Sequence, residues 1–335
     1  MTKNVDLVFV FSMAADLNLL RQRLLPFTKV RSTCRLDSLA LSRHHALLPE
    51  RSWSDLSSPS APIRSCFQWM FHPSCDVLNF PPVDIELGQD GNPVIVPEFR
   101  RMWVSGSMKF HSPFFPDDTA SKETTIVDVS SRDTKSQGPV IFVSRESTMT
   151  TMSTTEQSQK GGSRGRMTET TTHAFLQSTR YVPPPSLDAA AAPSLPVSER
   201  HPLLLEETVK DIDSVLLFKY SALTYNAHRI HYDLEHTMQV EGYPGLVVHG
   251  PWISSLLLDA YQHLCMESLS MCGFSGFKFD YRATSPMFLG EKLHISAVGH
   301  GKSVVKMIAK TDEGRVVMEA KATRTAKGTK LHVQG

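Results

Sequence analysis

Leu223-Thr-Tyr-Asn-Ala-His-Arg-Ile-His-Tyr-Asp233 is followed by Glu241-Gly-Tyr-Pro-Gly-Leu-Val-Val-His-Gly-Pro251 and then by a leucine-rich run to Leu258. Imidazoles, an asparagine and glycine-governed turns lead here into the start of a helix. That is the material for binding and polarising a carbonyl. Ile253, Leu256, Leu257, Ala260, Tyr261 and Leu264 recur at helical spacing, and Pro251 suits a first helical turn, where its missing N–H has no partner to lose. The helix is apolar on most sides, so it must be wrapped.

The wrapping follows in the sequence. Phe277, Phe279, Tyr281 and Ala283 alternate, as do Leu293, Ile295 and Ala297. Runs over 304–310 and 316–325 come next, with turns at Gly299-His300-Gly301 and Asp312-Glu313-Gly314. Upstream, Met102, Val104, Met108 and Phe110 are expected on one strand face, Thr125, Val127 and Val129 on the next run, and 140–149 after Gly138-Pro139. Three antiparallel strands are the economical reading. Asp37 to Leu48 reads as a short helix closed by Pro49. Ser52–Pro62 and Pro81–Pro97 read as loops. Residues 148–172 are rich in Thr, Ser, Gly, Gln and Lys, and 183–196 in Pro and Ala. So little apolar surface predicts a linker or disordered loop throughout, with a diverged last strand of the N-terminal unit or a wrongly predicted exon as alternatives over 148–172.

One internal echo links the halves. Ser112-Pro-Phe-Phe-Pro-Asp-Asp118 parallels Ser285-Pro-Met-Phe-Leu-Gly-Glu291, each leaving one strand for the next, as a duplicated unit would.

Composition narrows the function. Over 335 residues, 35 Lys and Arg nearly cancel 34 Asp and Glu, so no general pull toward nucleic acid or an anionic membrane is expected. Five cysteines without a close Cys-x-x-Cys pair argue for a reducing compartment. The apolar run Leu7–Ala15 is too short to span a membrane. The first 45 residues are rich in Arg, Ser and Leu but also carry acids, so they read either as a mitochondrial transit peptide or as a plain N-terminal arm. The corresponding locations are mitochondrial or cytoplasmic.

The motif 221–233, the motif 241–251 and Arg100-Arg-Met-Trp-Val-Ser-Gly106 with Phe110-His-Ser-Pro113 resemble the MaoC-like hot-dog hydratases and dehydratases. The resemblance is to the two-hot-dog branch that holds mitochondrial hydroxyacyl-thioester dehydratases and mesaconyl- and itaconyl-CoA hydratases. It implies an α+β double hot-dog, antiparallel sheets wrapped around a central helix, with a degenerate N-terminal unit. The expected division is an arm over 1–45, an N-terminal hot-dog-like unit over 46–147, an insertion and linker over 148–202, a catalytic hot-dog over 203–326 and a tail over 327–335.

The implied reaction is reversible (R)-specific loss of water from a 3-hydroxyacyl thioester, carried on CoA or acyl carrier protein, with no cofactor and no metal. His231 is the expected base, because an imidazole near its ordinary pKa can accept and return a proton. Asn226 stands where many single-domain relatives have Asp. An amide cannot exchange a proton, so it is assigned to hold the water or hydroxyl. N–H groups at Gly250 are expected to stabilise the enolate. Gly245 and Gly242 would allow close backbone approach, His249 would line the pocket or fix the overhang, and Tyr225 joins the substrate-binding set. Arg101 and Arg229 could meet a phosphate or a substrate carboxylate. Trp103 and Phe110 read as core. Alternatives are a C5 diacid hydratase, a dehydratase of a specialised polyketide or fatty-acid-derived pathway, a non-catalytic acyl-thioester-binding protein, and a hot-dog thioesterase. A homodimer is a further expectation.

Overall fold

Among the described residues of a computed structural model, ten strands form one sheet whose order, β1-β3-β4-β5-β2-β7-β10-β9-β8-β6, has the same pattern from either end. The structure describes residues 30–48, 67–71, 100–134, 138–152, 165–176, 180–181, 201–268, 276–301 and 303–324, with isolated positions at 17, 21–22, 25, 63, 195 and 197–198. The N-terminal half consists of β1 (Val30–Arg35), α1 (Ser38–His45), α2 (Gln68–Phe71), β2 (Arg100–Ser112), β3 (Thr119–Thr134), β4 (Gly138–Thr151) and β5 (Arg166–Leu176). The C-terminal half consists of β6 (Leu203–Val209), α3 (Ser214–Thr224), α4 (Leu234–Gln239), α5 (Gly250–Ser268), β7 (Phe277–Ala283), β8 (Leu293–His300), β9 (Val304–Thr311) and β10 (Val316–Arg324).

Apart from α4, which has no counterpart among the described residues, the halves match element by element. β1 pairs with β3 as β6 pairs with β8, and Asp37 caps α1 as Asp213 caps α3, through bonds from Ala40 and Leu216 N–H. The sequence echo is a shared turn. Phe115 N–H donates to the Asp118 carboxylate at 3.0 Å, and Phe288 N–H to that of Glu291 at 2.7 Å. Just before, Phe114 O accepts from Ile63 N–H and Met287 O from Val248 N–H, so α2 stands where α5 stands in the other half. This is the expected double hot-dog. α5 has 19 residues; among the described residues α2 has four.

The core sits around α5, which buries Trp252, Ile253, Leu256, Leu257, Leu258 and Tyr261 against the sheet. Trp252 Nε1–H also donates to Leu47 O, tying α5 to the N-terminal half. Phe110 and Phe277 stack at 4.6 Å across the β2–β7 seam, where residues 105–110 pair with 282–277.

Three expectations are corrected. Val30–Arg35, placed in the arm, is the edge strand β1. Its pairing with β3 is made by backbone groups, which need no apolar alternation. Further back, Leu17 packs against the cluster of Val129, Ile141 and Phe175, and Arg21 donates to Val129 O. The stretch 148–202 is not all linker. β4 runs to Thr151 and β5 fills 166–176, because β-branched threonines suit a strand bonded on both sides. Met102 and Val104 do not share a face with Met108 and Phe110. A bulge between Trp103 and Ser105 flips the alternation, sending Met102 and Val104 to Val140, Ala174 and Leu176. Most of residues 1–29, the loops 52–62 and 81–97, and nearly all of 183–196 lie outside the described residues.

Gly106 lies opposite Tyr281 on β7, where a Cβ would sit 2.1 Å from the tyrosine oxygen and 2.6 Å from the Thr170 carbonyl oxygen. That carbonyl belongs to a ladder and cannot step aside. Gly106→Ala is expected to destabilise the protein by about 1–3 kcal/mol or more, measured as a lowered urea midpoint with an unchanged slope.

Candidate functional site

Three short elements bring the motif residues together. Helix α3 ends at Tyr225, whose left-handed backbone (φ 54°) turns the chain. Asn226 then closes a local turn, its Oδ1 accepting from His228 N–H at 3.2 Å. A single 3-10 turn, Arg229–His231, carries His231 inward, and the overhang 241–248 returns over it.

His231 is 6% exposed, and its Nδ1 lies 2.7 Å from Val247 O. A carbonyl can only accept, so Nδ1 carries the proton and Nε2 keeps a lone pair. His249 is fully buried behind it, stacked at 3.7 Å with an interplanar angle of 18°, and its own Nε2 is 2.8 Å from Ser221 Oγ. Burial first, then the proximity of His228 and Arg101, push the His231 pKa down to about 3, against a partial rise from the Val247 bond. The expectation of an ordinary imidazole is corrected: this one is held neutral. Burial, then His231 and His228, hold His249 well below the ordinary value as well.

His231, Asn226, His228 and Gly250 line a cavity of about 360 Å³ that reaches into the N-terminal half. Gly250 opens α5, where its N–H has no acceptor within the helix. Trp103 covers it so closely that a Cβ would lie 2.7 Å from the indole, and Trp103 in turn stacks on Tyr281 at 4.5 Å. Trp103 thus lines the cavity as well as the core, and Arg101 lines it too.

Other expected residues stand elsewhere. Tyr225 is 67% exposed and does not line the cavity. Arg229 is held by Asp233 through Nε at 2.9 Å and Nη2 at 2.6 Å and is likewise absent from the lining. An i, i+4 ion pair accounts for it. Gly245 has open space where a Cβ would go, so no close approach requires glycine there. Gly242 does need to be glycine, with φ +72°. His249 braces His231 from behind rather than facing the cavity. His228 Nε2 is 3.5 Å from Glu241 Oε1. No set of three His, Cys, Asp or Glu among the described residues is placed to hold a metal ion.

Several unread residues belong to the N-terminal half. Trp69, Lys122, Arg145, Glu169 and His173 also line the cavity. The usable signal was the alternation Met167, Glu169, Thr171, His173, Phe175 on β5, which resembles that of a solvent-facing strand.

The neutral imidazoles set the response to acid. His44 is also pushed down to about 3 by burial and by His45, and His173 well down by burial, Arg145 and Arg101. These four histidines stay unprotonated when folded but take up protons near 6.5 when unfolded. Their contribution to stability is therefore full above pH 6.5 and is expected to be lost as the pH drops, for His44 and His231 by about 1.4 kcal/mol per pH unit each down to about pH 3. Urea midpoints at pH 7 and pH 5 check this, the lower one being expected at pH 5.

The family model for hydroxyacyl-thioester dehydratase type 2 matches residues 74–289. The mesaconyl-C(4)-CoA hydratase of Chloroflexus aurantiacus is 32% identical over 209 residues, 61% of this chain and 65% of that protein. The mitochondrial hydroxyacyl-thioester dehydratase type 2 of Schizosaccharomyces pombe is 25% identical over 207 residues, 58% of this chain and 64% of that protein. The chain thus spans less than two thirds of the length of either relative. A MaoC-like dehydratase from Phytophthora capsici shares the fold with a TM-score of 0.62 at 16% identity, over 91% of this chain and 98% of that one.

Proposed function

The chain belongs to the hydroxyacyl-thioester dehydratase type 2 family, and from that membership and the cavity's geometry we infer that it interconverts (R)-3-hydroxyacyl and enoyl thioesters by reversible loss of water. The observation that carries this reading is the fixed tautomer of His231. Val247 O holds the Nδ1 proton, so a lone pair on Nε2 is available in a cavity that also contains an amide and a helix start.

The roles follow from the groups. The Gly250 N–H, at the positive end of α5, stabilises negative charge on the thioester oxygen as the enolate forms. His231 Nε2 takes the α-proton and returns it to the departing hydroxyl. A pKa of about 3 weakens the first act and favours the second. The developing enolate offsets the weakness, because a nearby negative charge favours the imidazolium. Asn226 spends its Oδ1 on His228 N–H and keeps its amide hydrogens for the oxygen of water or hydroxyl. With no acid at 226, acid and base act from one residue on one face.

The thioester would be carried on CoA or acyl carrier protein. The mitochondrial name of the Schizosaccharomyces pombe relative and the Arg- and Ser-rich first 45 residues support mitochondrial placement. Among the described residues no helix is long and apolar enough to cross a membrane.

Incubation of the purified protein with crotonyl-CoA, followed by loss of enone absorbance, tests the activity. Turnover is expected, and His231→Ala should lower kcat by roughly 10²–10⁴-fold. Asn226→Ala should lower it by roughly 10²-fold while leaving the fold intact. Absence of turnover across enoyl chain lengths and branched diacid thioesters, or a His231→Ala variant as active as the parent, would contradict the reading.

A further inference from the structure

Glu241 opens the overhang, and its Oε1 faces two imidazoles, His228 Nε2 at 3.5 Å and His236 Nε2 at 3.9 Å. Its Oε2 is buried with no hydrogen-bond partner. The side chains of Glu241 and His228 are only 12% and 19% exposed, so water screens the pair little. A buried carboxylate oxygen without a donor costs stability. The backbone here is secured without that carboxylate: Glu241 N–H donates to His236 O at 3.2 Å, Tyr181 N–H to Glu241 O at 2.7 Å and Tyr243 N–H to Thr237 O at 3.1 Å. Packing alone therefore does not account for an acid at 241.

What the carboxylate adds is negative charge beside the cavity. His228 lines the cavity together with His231, the ring centroids 5.8 Å apart and the planes at 87°, whereas His236 does not line it. After burial, the proximity of His228 is the next cause of the depressed His231 pKa. His231 must become an imidazolium each time it takes the α-proton, and a positive neighbour opposes that unless a negative charge offsets it. The charge of Glu241 is felt at the cavity wall as well: burial above all pushes the Tyr243 pKa up to about 12, with Arg100 opposing and Glu241 adding.

We infer that Glu241 is a positioning residue of the reaction, whose carboxylate keeps a proton on His228 Nε2 and offsets the positive charge beside His231 while His231 holds the α-proton. The first part stands on the geometry of Glu241 and His228; the second rests on the hydratase reading of His231. Glu241 exchanges no proton with the substrate, so acid and base still act from His231. It works through His228, which also gives its backbone N–H to Asn226 Oδ1.

Two measurements test this. Long-range proton–nitrogen NMR of the parent reads the ring nitrogens, with the His228 signals identified by their loss in His228→Gln. His228 Nε2 is expected to carry a proton; a neutral ring with its proton on Nδ1 overturns the inference even if every variant at 241 fails to fold. Second, kcat and KM for crotonyl-CoA are compared for the parent, Glu241→Gln and Glu241→Asp, with thermal unfolding as a check on folding. Glu241→Gln is expected to lower kcat roughly tenfold or more with KM changed less than about twofold, and Glu241→Asp, which keeps the charge, to recover part of the loss. In a His228→Gln background, Glu241→Gln should lower kcat little further, because the charge it removes acts through His228. An unchanged kcat in folded Glu241→Gln, or an equal loss in both backgrounds, overturns the inference. A parent that hydrates no enoyl thioester counts against the reaction reading alone, and the NMR spectrum still decides whether Glu241 holds the His228 proton.

Discussion

The bond from His231 Nδ1–H to Val247 O is the contact on which the site depends. It joins the turn after α3 to the overhang before α5, so its two ends come from the two motifs. It decides the tautomer, and with it which nitrogen faces the cavity. His249 then locks the ring from behind by stacking, and Ser221 holds His249 in turn. The overhang itself is pinned by Val247 N–H to Ile230 O, Val248 N–H to Met287 O and Leu289 N–H to Leu246 O. An imidazole held this way forgoes charge at neutral pH, which costs it base strength and leaves it ready to return a proton.

The two halves share a plan and differ in what covers the sheet. In the C-terminal half α5 covers it with apolar side chains, and the strand faces beneath are apolar too. At the matching place in the N-terminal half the described helix is one turn long, and the inner face carries Lys122, Arg145 and Glu169. On that inner face the polar groups line the cavity. Trp103 belongs to both situations: it stacks on Tyr281 and roofs the start of α5.

Much of the fold was legible because it obeys simple periods. The 3.6-residue pattern of α5 and the alternation of β7 to β10 report apolar burial directly, and the Ser-Pro-x-Phe echo proved to be one turn used twice. β1 and β5 were hidden for opposite reasons. The first is a polar edge strand held by backbone pairing; the second alternates polar residues toward a cavity, a pattern that also describes a solvent face. Within the motif, composition could not tell inward from outward. His231 and Asn226 face the cavity, whereas Tyr225 caps α3 and Arg229 spends its guanidinium on Asp233. Those directions follow from one left-handed residue and one 3-10 turn, neither of which has a periodic signature. The bulge after Trp103 likewise reversed the faces of β2 without a mark in the hydrophobic pattern.

The claim that one residue supplies both acid and base is tested most directly by hydrating a trans-enoyl thioester in deuterium oxide and reading the relative configuration at C2 and C3 by NMR. With His231 acting alone on one face, deuterium and hydroxyl should be delivered to the same side of the double bond. Delivery to opposite faces would require a second proton carrier across the cavity and would contradict the account.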